Sequence, residues 1–467
     1  MKYMEDDQYE SKLGFSLFSG AGIGDIGFQS EGIEFIAMSE INKDMAKLLQ
    51  LNFPKAKIFG DIYEDKTEII NHIKNVEMEN NQKIFLGCCT APCQGMSKSG
   101  QGTLLNNVRK GKRPKFDPRN RLILPGLDII SEIKPLFIFF ENVIEMQNTL
   151  IEYNNGKLKK IIDIIDEVLS PDYVGLPYDV EFADYGIPQK RQRLITVYTR
   201  HKETKELFYQ GIPLIPSITH SEDTKKRGKK KWISVGEEIK DFPPLDAKNQ
   251  YTARNRDIPY HWVPVLDPKK YEWIKNTPPG GTAFDNQCIN PDCNYQNNPT
   301  HGTKRTKEGI NRSKKDTPLY CIKCGSLLPR PYTETKDGNK RIMSGYTSAY
   351  RRMKIDQPAS ALTRNFSYPC SDHKVHPTQN RVLSFAEAFK IHTLSDFDYK
   401  WGPIIKKRKK VNSVSDTIIR LSIGESIPPR VTQILIKYLK KLYSGQIAPN
   451  NNMQKNLGFQ STFFSFV

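Results

Sequence analysis

The chain has 467 residues, enough for a large buried core and more in keeping with two domains than one. Its formal net charge of +18 favours an anionic partner, with nucleic acid the first candidate. The polar, acidic start MKYMEDDQYE is no secretion signal, and the longest apolar run, PLFIFF, is far below the roughly 20 residues that span a bilayer. A cytoplasmic protein with no membrane contact is therefore expected. Eight clustered cysteines suit a reducing compartment, in catalytic or metal roles more than in disulfides.

Over the first 200 residues, short apolar runs alternate with amphipathic stretches. LGFSLF (13–18), EFIAM (34–38), AKIF (56–59), KIFLGCC (83–89), LFIFF (136–140), VEF (180–182) and RLITVY (193–198) read as strands. NKDMAKLLQLNF (42–53) and LKKIIDIIDEVLS (158–170) repeat apolar residues every three or four positions and read as helices. This alternation predicts an α/β fold, an open and mostly parallel sheet with helices on both faces. From about 200 to 380 periodicity fades into a basic run (KKRGKKK), scattered prolines and two cysteine pairs, which predicts a second, smaller, mostly β or irregular domain. Helical patterns return at SFAEAFKIHTL (384–394) and at PPRVTQILIKYLKKLY (428–443), whose two prolines suit a first turn.

In open parallel sheets ligands bind beyond the carboxyl ends of the strands, so the residues that follow each run matter most. FSGAGIG follows the first, and Gly20, Gly22 and Gly24 let backbone turn tightly against a ligand before a helix begins near Asp25. Glu40 follows the second run at the distance where a carboxylate can accept ribose hydroxyls, and Asp61 follows the third. A nucleotide-like cofactor fits this set better than a plain turn with solvated acids.

The fourth run ends in Cys88 and Cys89, which read as buried strand thiols. Cys93, between Pro92 and Gln94-Gly95, lies in a turn at the mouth of the sheet, where a thiol can be partly exposed and activated. Glu141 emerges from an apolar run, a setting that raises a carboxyl pKa as a general acid requires. Gln189, Arg191 and Arg193 alternate into a strand, so their side chains are expected on one face, toward the same cleft. From 95 to 121 eight Lys or Arg face one acid, Asp117, a stretch suited to closing over a polyanion.

FSGAGIGDIGF, SEIN, GDI, APCQGMS, ENV, QKRQR, RVLSFAEAFKIHTLSDF and IGESIPPRV resemble, in order and spacing, the successive motifs of the cytosine-C5 DNA methyltransferases. The resemblance spans roughly 13–198 and 340–440 and implies a Rossmann-like sheet that binds S-adenosylmethionine. It implies a catalytic unit of 1–198 and 412–467 and a target-recognition domain of 199–411. By that resemblance Phe18, Ser19, Gly20, Gly22, Pro92, Ser426 and Ile427 contact the cofactor, Glu40 holds its ribose, Ile41 its adenine face, and Asp61 and Ile62 the adenine edge. Cys93 would attack C6 of a cytosine turned out of duplex DNA, Glu141 would protonate N3, Arg193 would bind the base, and Arg191 would assist. Ser97, Lys98, Gln189, Arg351, Arg352 and Arg364 are the candidate DNA contacts.

The chemistry explains the residue types, because C5 of cytosine is a poor nucleophile until a thiolate adds at C6. The Asp/Asn-Pro-Pro-aromatic motif of amino-methyltransferases is missing from the sequence. Two departures stand out: Ala91 replaces the first of the usual two prolines, and Glu425 stands where the family has Asn. The expected enzyme is the modification half of a restriction system, a monomer on double-stranded DNA with a cognate endonuclease. An RNA cytosine methyltransferase is opposed by the long 200–380 insert, and a silent DNA-binding regulator by the joint retention of Cys93, Glu141 and Arg193. Within the insert, Cys288 and Cys293 (C-x4-C) with Cys321 and Cys324 (C-x2-C) match a closed four-thiolate structural Zn2+ site.

Overall fold

The computed structural model describes residues 12–92, 117–154, 156–223, 228–305, 311–313, 317–343, 348–371, 373–406 and 409–447. Its strands are β1 (Lys12–Leu17), β2 (Ile33–Ser39), β3 (Lys57–Phe59), β4 (Leu86–Cys89), β5 (Phe137–Asn142), β6 (Leu150–Tyr153), β7 (Lys157–Lys160), β8 (Val174–Glu181), β9 (Gln189–Lys190) and β10 (Gln192–Thr199), followed by shorter pieces. Its helices are α1 (Asp25–Gln29), α2 (Lys43–Asn52), α3 (Ile62–Asn80), α4 (Ile123–Ile133), α5 (Ile161–Leu169), α6 (Lys202–Tyr209), α7 (Val235–Ile239), α8 (Pro268–Lys275), α9 (Phe385–Ile391), α10 (Asp416–Glu425) and α11 (Pro429–Tyr443).

One seven-stranded sheet runs β3-β2-β1-β4-β5-β10-β8. Every pair from β3 to β5 is parallel, while β10 lies antiparallel to both β5 and β8. Strand order reverses between β1 and β4, which places a ligand crevice above their carboxyl ends. The parallel strands are apolar on both faces because both faces are covered. One face packs on α1, α2, α9, α10 and α11 through residues such as Phe28, Leu48, Phe389, Ile423 and Leu435, and the other on α3, α4 and α5 through Ile69, Ile130 and Ile165. Alternation along β4 sends Cys88 to the first core and Cys89 to the second, and burial raises both thiols, Cys89 to about 12.

α11 crosses α1 so closely that a Cβ on Gly27 would lie 2.0 Å from the Pro429 carbonyl oxygen. The Thr432 hydroxyl adds a hydrogen bond to the Gly24 carbonyl at 2.7 Å, so the C-terminal helix braces the turn after β1. The helix expected from 158 starts instead at Ile161, because Lys157–Lys160 pairs with β6 as a hairpin. α10 had no counterpart among the expected helices.

The cores do not divide at 199 and 411. Ile212, Val235, Met353, Leu362 and, from α9, Phe385, Ala388, Phe389 and Ile391 belong to the core beneath the sheet. Separate clusters form within 245–382, one around Ile274 and Val375, one around Trp273, Phe284 and Tyr350, and a small one of Cys288, Cys321 and Leu328. Regular structure there is limited to short helices and two-stranded ladders, as a mostly irregular unit implies. No helix among the described residues is long and apolar enough to cross a membrane.

Candidate active site

A cleft of about 600 Å3 opens at the carboxyl ends of β1, β2, β3, β4 and β5. Its floor is the turn after β1. Phe18 has φ 60° and Gly20 φ 57°, left-handed values that cost a non-glycine residue energy unless its surroundings hold it. Phe18 is held at both ends: its N–H donates to the Ser39 hydroxyl at 3.2 Å, and its carbonyl accepts from the Thr90 hydroxyl at 3.0 Å. Gly20 and Asn42 donate their N–H groups to the two carboxylate oxygens of Glu40, at 3.0 and 2.7 Å. Burial pushes the Glu40 carboxyl up, and these two bonds pull it partly back.

Asp61 caps α3 by accepting the Tyr63 N–H at 2.9 Å, and it lines the cleft beside Ile62 and the exposed Ile41. Ser426 and Ile427, between α10 and α11, close the opposite wall with Glu425. Of the expected cofactor residues, Phe18, Ser19, Gly20, Glu40, Ile41, Asp61, Ile62, Pro92, Ser426 and Ile427 all line this one cleft. Gly22 is the exception, because its Cα faces α2, where an added Cβ would come within 2.4 Å of the Phe53 ring. Sequence reasoning passed over Asp25, Asn42, Tyr63, Leu122, Phe139 and Ser422, which also line it. Nothing in their local sequence separates them from ordinary helix and strand residues.

At the end of β5, Glu141 is buried and its Oε1 accepts from Arg193 Nε at 2.9 Å. Burial raises the Glu141 carboxyl, while the guanidinium groups of Arg193 and Arg191 oppose the rise. The neighbouring Asn142 donates its side-chain amide to the Ala91 carbonyl at 3.1 Å, so the end of β5 is tied to the segment leading into Cys93. Ala91 is itself buried in the core beneath that face, where a methyl group fits. Cys93, Ser97 and Lys98 lie outside the described residues. So does most of the basic 95–121 stretch, of which Arg119 pairs with Asp117 at 2.6 Å and Arg121 with Glu152 at 3.3 Å.

Gln189, Arg191 and Arg193 turn inward together, although the strand is interrupted at Arg191 between β9 and β10. Gln189 is fully buried, accepts the Leu362 N–H at 3.0 Å and sits 3.4 Å from His392 Nδ1, which leaves no edge for DNA in this conformation. Arg191 is 2% exposed and donates to the carbonyls of Leu362 and Gly424 at 2.8 and 3.0 Å, so it acts as a strut behind the site. Arg352 corrects the sequence reading in the same way. It is buried, with its guanidinium spent on the carbonyls of Thr277, Ile274 and His376 and on Asn380 Oδ1. Arg351 is half-buried and bonds the Gly280 carbonyl, whereas Arg364 is exposed on the rim of the cleft.

The residues 359–364 that carry Arg364 are joined to the site through Ala359, which pairs with Gln189. The wall of the glycine turn, a buried acid–guanidinium pair and a segment of the second unit thus meet around one opening. The model of the C-5 cytosine-specific DNA methylase family matches residues 14–441, nearly the whole chain. The chain belongs to this family. Relatives of this C-5 cytosine-specific DNA methylase include the type II methyltransferase M1.HgaI of Avibacterium volantium, 26% identical over 89% of this chain and 95% of the relative. The type II methyltransferase M.XorII of Xanthomonas oryzae is 28% identical over 82% of this chain and 77% of the relative. Among solved structures, the Entamoeba histolytica methyltransferase EhMeth aligns over 94% of this chain and 100% of its own, at TM-score 0.47 and 15% identity.

The four expected metal ligands also come together. The sulfurs of Cys288, Cys293, Cys321 and Cys324 all lie within 4.8 Å of one another, with Cys288 3.7 Å from Cys324 and Cys293 3.9 Å from Cys321. A tetrahedral Zn2+ bound at about 2.3 Å per sulfur requires sulfur–sulfur edges of about 3.8 Å, so the set fits that ion. The Ser326 hydroxyl and N–H draw the Cys324 thiol down to about 6.

Proposed function

We propose that this methylase transfers a methyl group from S-adenosylmethionine to C5 of a cytosine turned out of duplex DNA, and so protects DNA in a restriction-modification system. The observation that carries the reading is the Glu141–Arg193 pair at one end of a cleft whose other end is the Gly20–Glu40 turn. A cleft of about 600 Å3 falls within the ~300–1,000 Å3 typical of small-molecule sites. Glu40 would hold the ribose, Ile41 the adenine face, and Asp61 and Ile62 the adenine edge. When bound, S-adenosylmethionine supplies an electrophilic methyl group.

The chain's own residues make C5 able to take it. Cys93 thiolate would add to C6 while Glu141, steadied by Arg193, holds and protonates N3, and electron density moves to C5. After C5 accepts the methyl group, its proton leaves to base, the thiolate is expelled and N3 returns its proton to Glu141, restoring the ring. Water exclusion and unstacking of the base fall to the second unit and the basic stretch after Cys93, with Arg364 at the rim. Protective methylation is the reading that the type II relatives favour, and a partner endonuclease and action as a monomer on DNA are further parts of the proposal. With methyl-labelled cofactor and duplex DNA, the label is expected on cytosine C5, whereas label on the exocyclic amine, or only on RNA, would overturn the proposal.

The four cysteines would hold a structural Zn2+. Beside them lie a small apolar cluster and the buried Arg330, bonded to the carbonyls of Asn286, Pro299 and Pro318. Purified protein is expected to contain one zinc per chain, and chelation to expose these thiols and weaken DNA binding while cofactor binding persists. Protein without zinc, whose four thiols titrate freely, would contradict the site.

A further inference from the structure

The cofactor cleft of this strongly basic chain is lined by carboxylates. Asp25, Glu40, Asp61 and Glu425 face it, Glu141 closes its end, and Arg364 supplies a cation at the rim. Asp25 differs from the others in its surroundings. It begins α1 directly after the glycine turn and is 7% exposed. Its carboxyl is bonded by the Ser16 side chain and its own N–H, and no cation among the described residues pairs with it. Glu141 has Arg193, Glu40 has two backbone N–H groups, and Asp61 caps α3. The other groups that feel the Asp25 charge are the buried Cys88 and Tyr399, whose hydroxyl donates to the Ala21 carbonyl at 2.7 Å. Neither can neutralise an anion.

A carboxyl buried without a cation favours its protonated form, and burial raises Asp25 to about 7; a ligand that brings a positive charge would favour its anion. The ligand of the proposed reaction does so in one of its two forms. The methyl donor carries a sulfonium positive charge, and the demethylated product, S-adenosylhomocysteine, has a neutral thioether and is otherwise the same molecule.

We propose that Asp25 is a specificity residue that distinguishes the cationic donor from its neutral product, strengthening binding of the first and assisting departure of the second. This rests on the assignment of the cleft to S-adenosylmethionine. Ser16 orients the carboxyl from β1, and the Tyr399–Ala21 bond fixes the loop above it. Burial magnifies the effect, because an ion interaction is weakly screened where water is excluded.

The test is equilibrium binding of S-adenosylmethionine and S-adenosylhomocysteine to the full chain and to Asp25→Asn. The expected result is a donor affinity about tenfold lower in the variant, with product affinity changed less than about threefold, so that the two ligands' losses differ by at least about threefold, or about 0.7 kcal/mol. Retained product binding shows that the variant is folded. Asp25→Ser, smaller and also uncharged, serves if the Asn variant misfolds and should shift the same ratio. Equal loss of both ligands in the folded variants, or no loss of either, would overturn the role of Asp25. Failure of the unaltered chain to bind either ligand would instead overturn the cofactor assignment beneath it.

Discussion

Cys93→Ser lowers turnover by at least about 10^4-fold, because a hydroxyl is scarcely ionised at neutral pH and cannot add to C6 as a thiolate does. DNA binding is expected within about threefold of the unaltered chain, since the substitution changes one atom and leaves the charge that meets phosphate in place. The measurement is methyl transfer under single-turnover conditions beside a binding titration with the same duplex. Full activity in the variant would remove Cys93 from the reaction. The assignment draws on the sequence APCQG and on Ala91, whose carbonyl is fastened to Asn142 next to Glu141.

Glu141→Gln is expected to cost about 10^2–10^4-fold in the rate of methyl transfer, the usual range for loss of a positioned acid or base. Glutamine can still offer a hydrogen bond to the base but carries no proton to give to N3. Because burial raises the Glu141 carboxyl and Arg193 holds its Oε1 at 2.9 Å, the residue is both predisposed to hold a proton and fixed in direction. Cofactor binding should survive in Glu141→Gln, since the Glu40 turn does not depend on it. A variant with an unchanged rate would place the proton donor elsewhere.

Much of this was legible in the sequence, for physical reasons. Strands buried on both faces must be runs of apolar residues, so LFIFF and KIFLGCC announce β5 and β4 directly. The cleft was legible because ligand groups in such sheets follow the strands, and ten of the eleven residues proposed to hold a cofactor line it. Gly22 escaped because a glycine needed for contact with Phe53 looks in sequence like one needed for a ligand.

The arginines were the least legible. Arg191 and Arg352 resemble surface residues until the fold buries them among carbonyl oxygens, which a guanidinium with five donors can satisfy at once. Asp25 gave no signal, since only the packed structure shows it buried without a cation among the described residues. The cysteine pairs were readable from their spacing, and their four sulfurs do come together.

The central claim is tested most directly by expressing the chain in a host whose genome lacks cytosine methylation and mapping 5-methylcytosine across it. New 5-methylcytosine confined to one short sequence motif is the predicted result, and it would also name the target. A genome with no new 5-methylcytosine, from cells that make the folded protein, would contradict the account.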